Sequence, residues 1–279
     1  MVSSQRLDQK IGPKIAAVRS YSEYSGSKFG NAVSSSKSHA LDVLRQSAST
    51  QSKQTLMQSS NQPLIALPTQ SRHCFALNIH PRTNDIEPID CMGLSAPDAQ
   101  DLANALPFLA CGEESAVHAF GGSLLRDIAP NEQATMVAIA EDELRHATWL
   151  ERLRIALPEP DISLPTEGMA RFFKKLLTRK ASLHFARVAA LDLAVCHLLA
   201  PLLHTKASLI AAPEVRDGLL AIVRDEARHV QFAKQTAQRL GLSVQAQEQV
   251  NLAIERQLVA LLAPVTPGLV RLARQSHLV

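Results

Sequence analysis

Residues 142–146 read Asp-Glu-Leu-Arg-His, and residues 225–229 read Asp-Glu-Ala-Arg-His. A carboxylate and an imidazole three residues apart are neighbours on one face of a helix. That geometry suits two metal ligands or a plain ion pair. The likeness is wider than the five residues: Ala138 and Ile139 recur as Ala221 and Ile222, and Trp149 falls opposite Phe232. The repeat reads as a structural duplication.

The two copies lie on apolar faces. Glu143 and His146 share theirs with Met136, Ile139, Ala147 and Leu150. Glu226 and His229 share theirs with Leu219, Ile222, Val230 and Ala233. Burying an ionised carboxylate without a partner is very costly, so each copy needs cations. Arg145 and Arg228 could supply them as salt bridges, and for one isolated Glu-x-x-His that reading leads. Two copies on two apolar faces favour a metal. A Glu-x-x-His from each of two helices, plus a carboxylate from each of two others, is the ligand set of a dinuclear site in a helical bundle.

That reading demands one acid on each of two further helices. In the first, Glu113 lies on a face with Leu106, Leu109, Ala110, Ala116, Val117 and Phe120. Glu114 shares a poorer face with Pro107, His118 and Gly121, and His118 is the reserve ligand if Glu114 takes the place of Glu113. The third helix has one carboxylate, Asp192, among Phe185, Val188, Ala189, Val195 and Leu199. The predicted metal ligands are therefore Glu113, Glu143, His146, Asp192, Glu226 and His229. Four carboxylates balance two divalent cations. Oxygen and imidazole donors without thiolate suit iron or manganese, whereas zinc sites usually carry fewer carboxylates.

Imidazole ligands need partners that fix their orientation. Asp142 and Asp225 are placed to accept the free N–H of the opposite copy's histidine, with Arg145 and Arg228 holding the aspartates. Solvent-facing ion pairing is the competing reading for these four. Cys196, one turn beyond Asp192, either faces the pocket or is a small core hydrophobe. Trp149 reads as packing, and His118, His184 and His197 as surface or satisfied histidines.

Positioning such residues takes long helices. Apolar spacing predicts a first helix from Pro97-Asp98 to about Asp127, weakened at Pro107 and Gly121-Gly122. A second runs from Pro130 or Asn131 to about Leu157, and a short one lies near 167–178. A third spans about 181–204, a fourth runs from Pro213 to a stop at Gly241, and a fifth covers 244–262. Strand signals are nearly absent. The fold class is all-α: a four-helix bundle with a long crossover between the second and third helices and an additional C-terminal helix.

This bundle occupies 95–279. Residues 1–94 are a Ser- and Gln-rich segment that reads as disordered or irregular, with an organelle transit peptide as the lesser reading. A net charge of +3 makes no case for nucleic acid. The apolar runs are interrupted by Asp192, His197 and His204, short of the ~20 residues a membrane span needs. The four cysteines form no Cys-x-x-Cys pair, and they read as reduced, in a cytoplasmic protein.

The series Glu113, Glu143-Leu-Arg-His146, Asp192, Glu226-Ala-Arg-His229 resembles the ferritin-like diiron carboxylate superfamily over about residues 98–240. Within it, the pattern is most like the dioxygen-activating members: multicomponent monooxygenase hydroxylases, acyl carrier protein desaturases and ribonucleotide reductase small subunits. The resemblance implies a ferritin-like bundle, two iron ions (or a manganese–iron pair) and the oxidation of a small organic substrate by O2. It also implies electrons from a separate reductase or ferredoxin, since no Rossmann fingerprint is present, and it leaves room for a homodimer. The alternatives are a ferroxidase or peroxide-scavenging protein, and a non-catalytic helical metal-binding protein.

Several positions depart from particular members. Leu150 stands where a reductase radical tyrosine would, and no tyrosine follows Tyr24. Storage ferritins carry one such motif, rubrerythrins add a Cys-x-x-Cys module, and arylamine N-oxygenases have a histidine where Ile222 lies. Asp192 stands where the family mostly has Glu, and its shorter reach implies an asymmetric or altered site.

Overall fold

The computed structural model describes residues 87–121, 128–205 and 207–274, and the Ser- and Gln-rich segment expected over 1–94 lies almost wholly outside them. The described residues are mostly helical and include no strand. Among the described residues seven α-helices follow in order: α1 (Ala96–Gly121), α2 (Pro130–Ala156), α3 (Thr166–Leu176), α4 (Ala181–Leu199), α5 (Pro213–Arg239), α6 (Val244–Leu262) and α7 (Thr266–Ala273). Two 3₁₀ turns, Ala200–Leu203 and Ser208–Ala211, connect α4 to α5.

Local chemistry sets the helix ends. Ser95 Oγ accepts from the Asp98 N–H at 3.2 Å, capping α1. Pro130 and Pro213 occupy first-turn positions, where a missing N–H costs nothing. Glu132 reaches back to the Ala129 N–H at 3.4 Å. After α5, Gly241 adopts φ 88°. The Gly241 and Leu242 N–H groups donate to Gln238 and Ala237 carbonyls at 2.9 and 3.0 Å, the paired bonds of a glycine C-cap. Ser243 then caps α6 through the Ala246 N–H.

Two apolar clusters fix the helix directions. One gathers Leu102, Leu106 and Leu109 of α1, Leu150 and Leu153 of α2, Leu191 and Leu199 of α4, and Val215, Leu219 and Ile222 of α5. The other gathers Phe120, Met136, Ile139, Phe185, Val188, Ala233 and Ala237. Along the chain α1 and α5 run from the first cluster to the second, while α2 and α4 run from the second to the first. Parallel α2 and α4 require the 157–180 connection to travel the length of the helices, and α3 lies within it. Asn104 anchors this connection: its side chain accepts from the Asp161 and Ile162 N–H groups and donates to Asp161 Oδ1.

The C-terminal region departs from expectation, with two helices in place of one. α7 turns 97° from α6 and lies against α1. There Arg271 forms a two-pronged pair with buried Asp101, at 2.8 and 2.5 Å. A Cβ on Gly268 would sit 2.5 Å from Asp101 Oδ1, so only glycine admits this approach. The third predicted helix tightens to 3₁₀ after Leu199.

Ala181–Leu203 does reach the length and hydropathy of a membrane-crossing helix, despite Asp192 and His197. It packs against both α5 and α6, and burial on several sides accounts for its apolar composition. Cys91 and Cys196 are free, whereas Cys111 is disulfide-bonded, contrary to the expectation of reduced cysteines.

Candidate metal centre

A single polar layer separates the two apolar clusters. α1 contributes Glu113, α2 Glu143 and His146, α4 Asp192, and α5 Glu226 and His229, all buried. The layer arises because each helix carries its acid midway along an apolar stripe, and the stripes meet. Glu113, Glu143, His146 and Glu226 bring donor atoms within 4.8 Å of one another, an arrangement able to hold a metal ion.

The glutamates of the two copies each span both imidazoles. Glu143 places Oε2 3.5 Å from His146 Nδ1 and Oε1 2.9 Å from His229 Nδ1. Glu226 places Oε1 3.8 Å from His146 Nδ1 and Oε2 3.6 Å from His229 Nδ1. Glu113 Oε2 lies 3.3 Å from His146 Nδ1. The two rings stand 6.2 Å apart, centre to centre.

These atoms are close yet unaligned. Glu113 Oε2, both Glu143 oxygens, His146 Nδ1, Asp192 Oδ2, Glu226 Oε2 and His229 Nδ1 are all buried without a hydrogen-bond partner among the described residues. Buried polar atoms in a native fold are nearly always satisfied. Donor atoms that converge without internal hydrogen bonds could hold a cation between them.

Electrostatics in the absence of a cation point the same way. Burial and the Glu143 charge push Glu113 up to about 8. Burial, then Glu226 and Glu143, push Asp192 well above the usual carboxylate range. Burial opposes charge on the imidazoles, but Glu113 and Glu143 raise His146 to about 12, and Glu143 and Glu226 raise His229 to about 11. A metal-free layer thus balances its acids with protons.

The outer nitrogens are paired across the copies. His146 Nε2 lies 3.1 Å from Asp225 Oδ2, and His229 Nε2 lies 3.2 Å from Asp142 Oδ2. An ionised carboxylate only accepts, so each imidazole donates through Nε2. That leaves Nδ1 facing the layer. Arg145 pairs with Asp142, while Arg228 reaches Asp225 at 2.7 Å and Asp142 at 3.6 Å. Burial pushes Asp142 up, but His229 and Arg145 outweigh it and hold the group below its ordinary value.

Other residues singled out from sequence sit around this layer. Cys196 is half-buried with Sγ 3.9 Å from the Val223 carbonyl. Burial, then Glu226 and Asp192, push its thiol up to about 12. Trp149 lies on Gly218 of α5, where an added Cβ would fall 2.0 Å from the ring. His184 is fully buried: its Nε2 lies 3.1 Å from the Ala119 carbonyl, and the Thr178 N–H points at Nδ1.

Glu114 is as buried as Glu113 but lies in a cleft between α1 and α2 with Ala110, Ala147 and Glu151. Sequence reasoning gave Glu151 no role. It is buried and held by Arg154 through two bonds of 2.8 and 2.9 Å, and its i,i+3 arginine was the available signal. The aromatic wall beside His229 was also missed: Phe120 stands 6.1 Å from His229, with Phe232 and Phe185 behind it.

Compared with family models, with curated proteins and with solved structures, the chain has no match.

Proposed function

We propose that this protein is a ferritin-like dinuclear iron oxygenase or oxidase that uses O2 to oxidise a small organic substrate. The observation carrying this reading is the set of buried, mutually unaligned donor atoms on four helices. The helix directions agree with a bundle whose second and third long helices are joined by a crossover. Glu113 and His146 would hold one ion, Asp192 and His229 the other, with Glu143 and Glu226 between them. Ions bound there supply dioxygen activation, chemistry that no side chain provides by itself.

The chain's own residues do the rest. Asp142 and Asp225 orient the imidazoles through Nε2, so that Nδ1 is the donor. Leu150, Leu219, Phe120 and Phe185 keep water from the layer above and below it. Burial raises Glu113 and Asp192, so the metal-free layer favours their protonated forms and a cation would displace those protons. Electrons come from a separate reductase or ferredoxin.

Metal analysis tests the reading. The full chain, purified after expression with iron, should contain about two ions per chain, and its reduced form should consume O2 with an organic co-substrate. A metal-free protein, or rapid Fe(II) or peroxide consumption with no organic product formed, would overturn the oxygenase reading.

A further inference from the structure

The two halves of the layer are unequal. Around His146 Nδ1 converge Glu113 Oε2, Glu143 Oε2 and Glu226 Oε1, at 3.3, 3.5 and 3.8 Å. These donors form one compact group. Around His229 Nδ1, among the described residues, stand only Glu143 Oε1 and Glu226 Oε2, at 2.9 and 3.6 Å. Asp192 does not join them. Among the described residues, neither imidazole is within ion-pair distance of Asp192. Its Oδ2 is buried and without a hydrogen-bond partner.

The reason lies in the side chain. Aspartate is one carbon–carbon bond shorter than glutamate, about 1.5 Å. Asp192 starts from a helix that is closely packed on α5 and α6, so the backbone is not free to bring it forward. The corresponding acid of the other half, Glu113, has the extra methylene and reaches its imidazole.

We infer that the protein binds its two metal ions unequally: the Glu113–Glu143–Glu226–His146 half takes the first ion tightly, and the Asp192–His229 half takes the second weakly and exchanges it. The inference rests on the dinuclear reading above and adds an order of filling. Three protein donors of the first half are carboxylates whose charge a single divalent ion largely offsets. The second ion meets a smaller remaining charge and one donor fewer at close range. Loss of a partner that merely supports a ligand costs roughly 10- to 100-fold in metal affinity, and a ligand held out of reach should cost no less.

Anaerobic titration of the metal-free full chain with Mn²⁺ decides it, followed by calorimetry and by the electron paramagnetic resonance of the bound ion. Two steps are expected, separated by roughly tenfold or more in Kd. The first equivalent should give the six-line signal of an isolated Mn²⁺, and the second should broaden it by coupling. Asp192→Glu should narrow the gap between the steps, and Asp192→Ala should leave the first step and remove the second.

Two ions bound in one step with equal affinity would overturn the inference and leave the dinuclear reading standing. So would a gap unchanged in Asp192→Glu. Failure of the wild-type chain to bind a second ion at any concentration, or to bind any ion, overturns the dinuclear reading itself. The wild-type titration decides between these outcomes even if a variant does not fold.

Discussion

The copies of Asp-Glu-x-Arg-His on α2 and α5 are almost identical in sequence and are used alike in one respect. Each sends its glutamate between the two imidazoles and its aspartate to the other copy's histidine. They differ in what the neighbouring helix adds. Beside the α2 copy, Glu113 comes within 3.3 Å of the imidazole, whereas beside the α5 copy Asp192 stands off. The pairs also differ at the surface: Arg228 reaches both aspartates and Arg145 only its own. The comparison teaches that the repeated segment fixes the frame of the layer, and that the acids outside it decide how symmetric the layer is.

The most severe way to break this comparison is to remove a glutamate that both halves share. Glu143→Ala should abolish binding of both ions, because Glu143 serves both imidazoles. Glu226→Ala should do the same. Metal content by mass spectrometry checks it, and retention of one ion in either variant would show that the glutamate belongs to one half only.

Acidification tests whether both halves hold protons in place of metal. Glu113 is raised to about 8, and His146 and His229 to about 12 and 11, so near neutral pH the metal-free layer carries protons that a cation must displace. Metal affinity should therefore fall as pH falls, by about tenfold per pH unit for each proton displaced. Calorimetry in buffers of different ionisation enthalpy reads the released protons, and pH-independent binding with no release contradicts the assignment.

The finest test separates the orienting aspartates. Asp225→Asn and Asp142→Asn should each weaken metal binding by roughly 10- to 100-fold. The first should affect the His146 half and the second the His229 half. Resolved binding steps in the Mn²⁺ titration distinguish them, and identical effects on both steps would mean that the cross-pairing does not act locally.

Much of this arrangement was legible in the sequence, for a physical reason. A carboxylate on an apolar helical stripe is costly enough that few are present, so Glu113, Asp192 and the two Glu-x-x-His pairs stood out against leucine, valine and alanine. The starts at Pro130 and Pro213 and the stop at Gly241 lie within a residue or two of the observed helix ends, whereas the expected end of the first helix near Asp127 falls outside the described residues. What remained hidden depends on distance in space. The standing-off of Asp192 is set by how α4 packs, which periodicity does not encode. The second C-terminal helix depends on Gly268 and Arg271 meeting Asp101 from far along the chain. Glu114 matches Glu113 in burial, and the α1–α2 cleft distinguishes its surroundings from those of Glu113.

Trp149 is the sole tryptophan of the chain. It lies three residues beyond His146 with its ring laid on Gly218, at the seam between α2 and α5. Its fluorescence therefore reports one place in the molecule. Iron bound at the His146 half should quench it, and separation of the two helices should shift its emission to the red, so the protein carries an optical gauge of its own assembly.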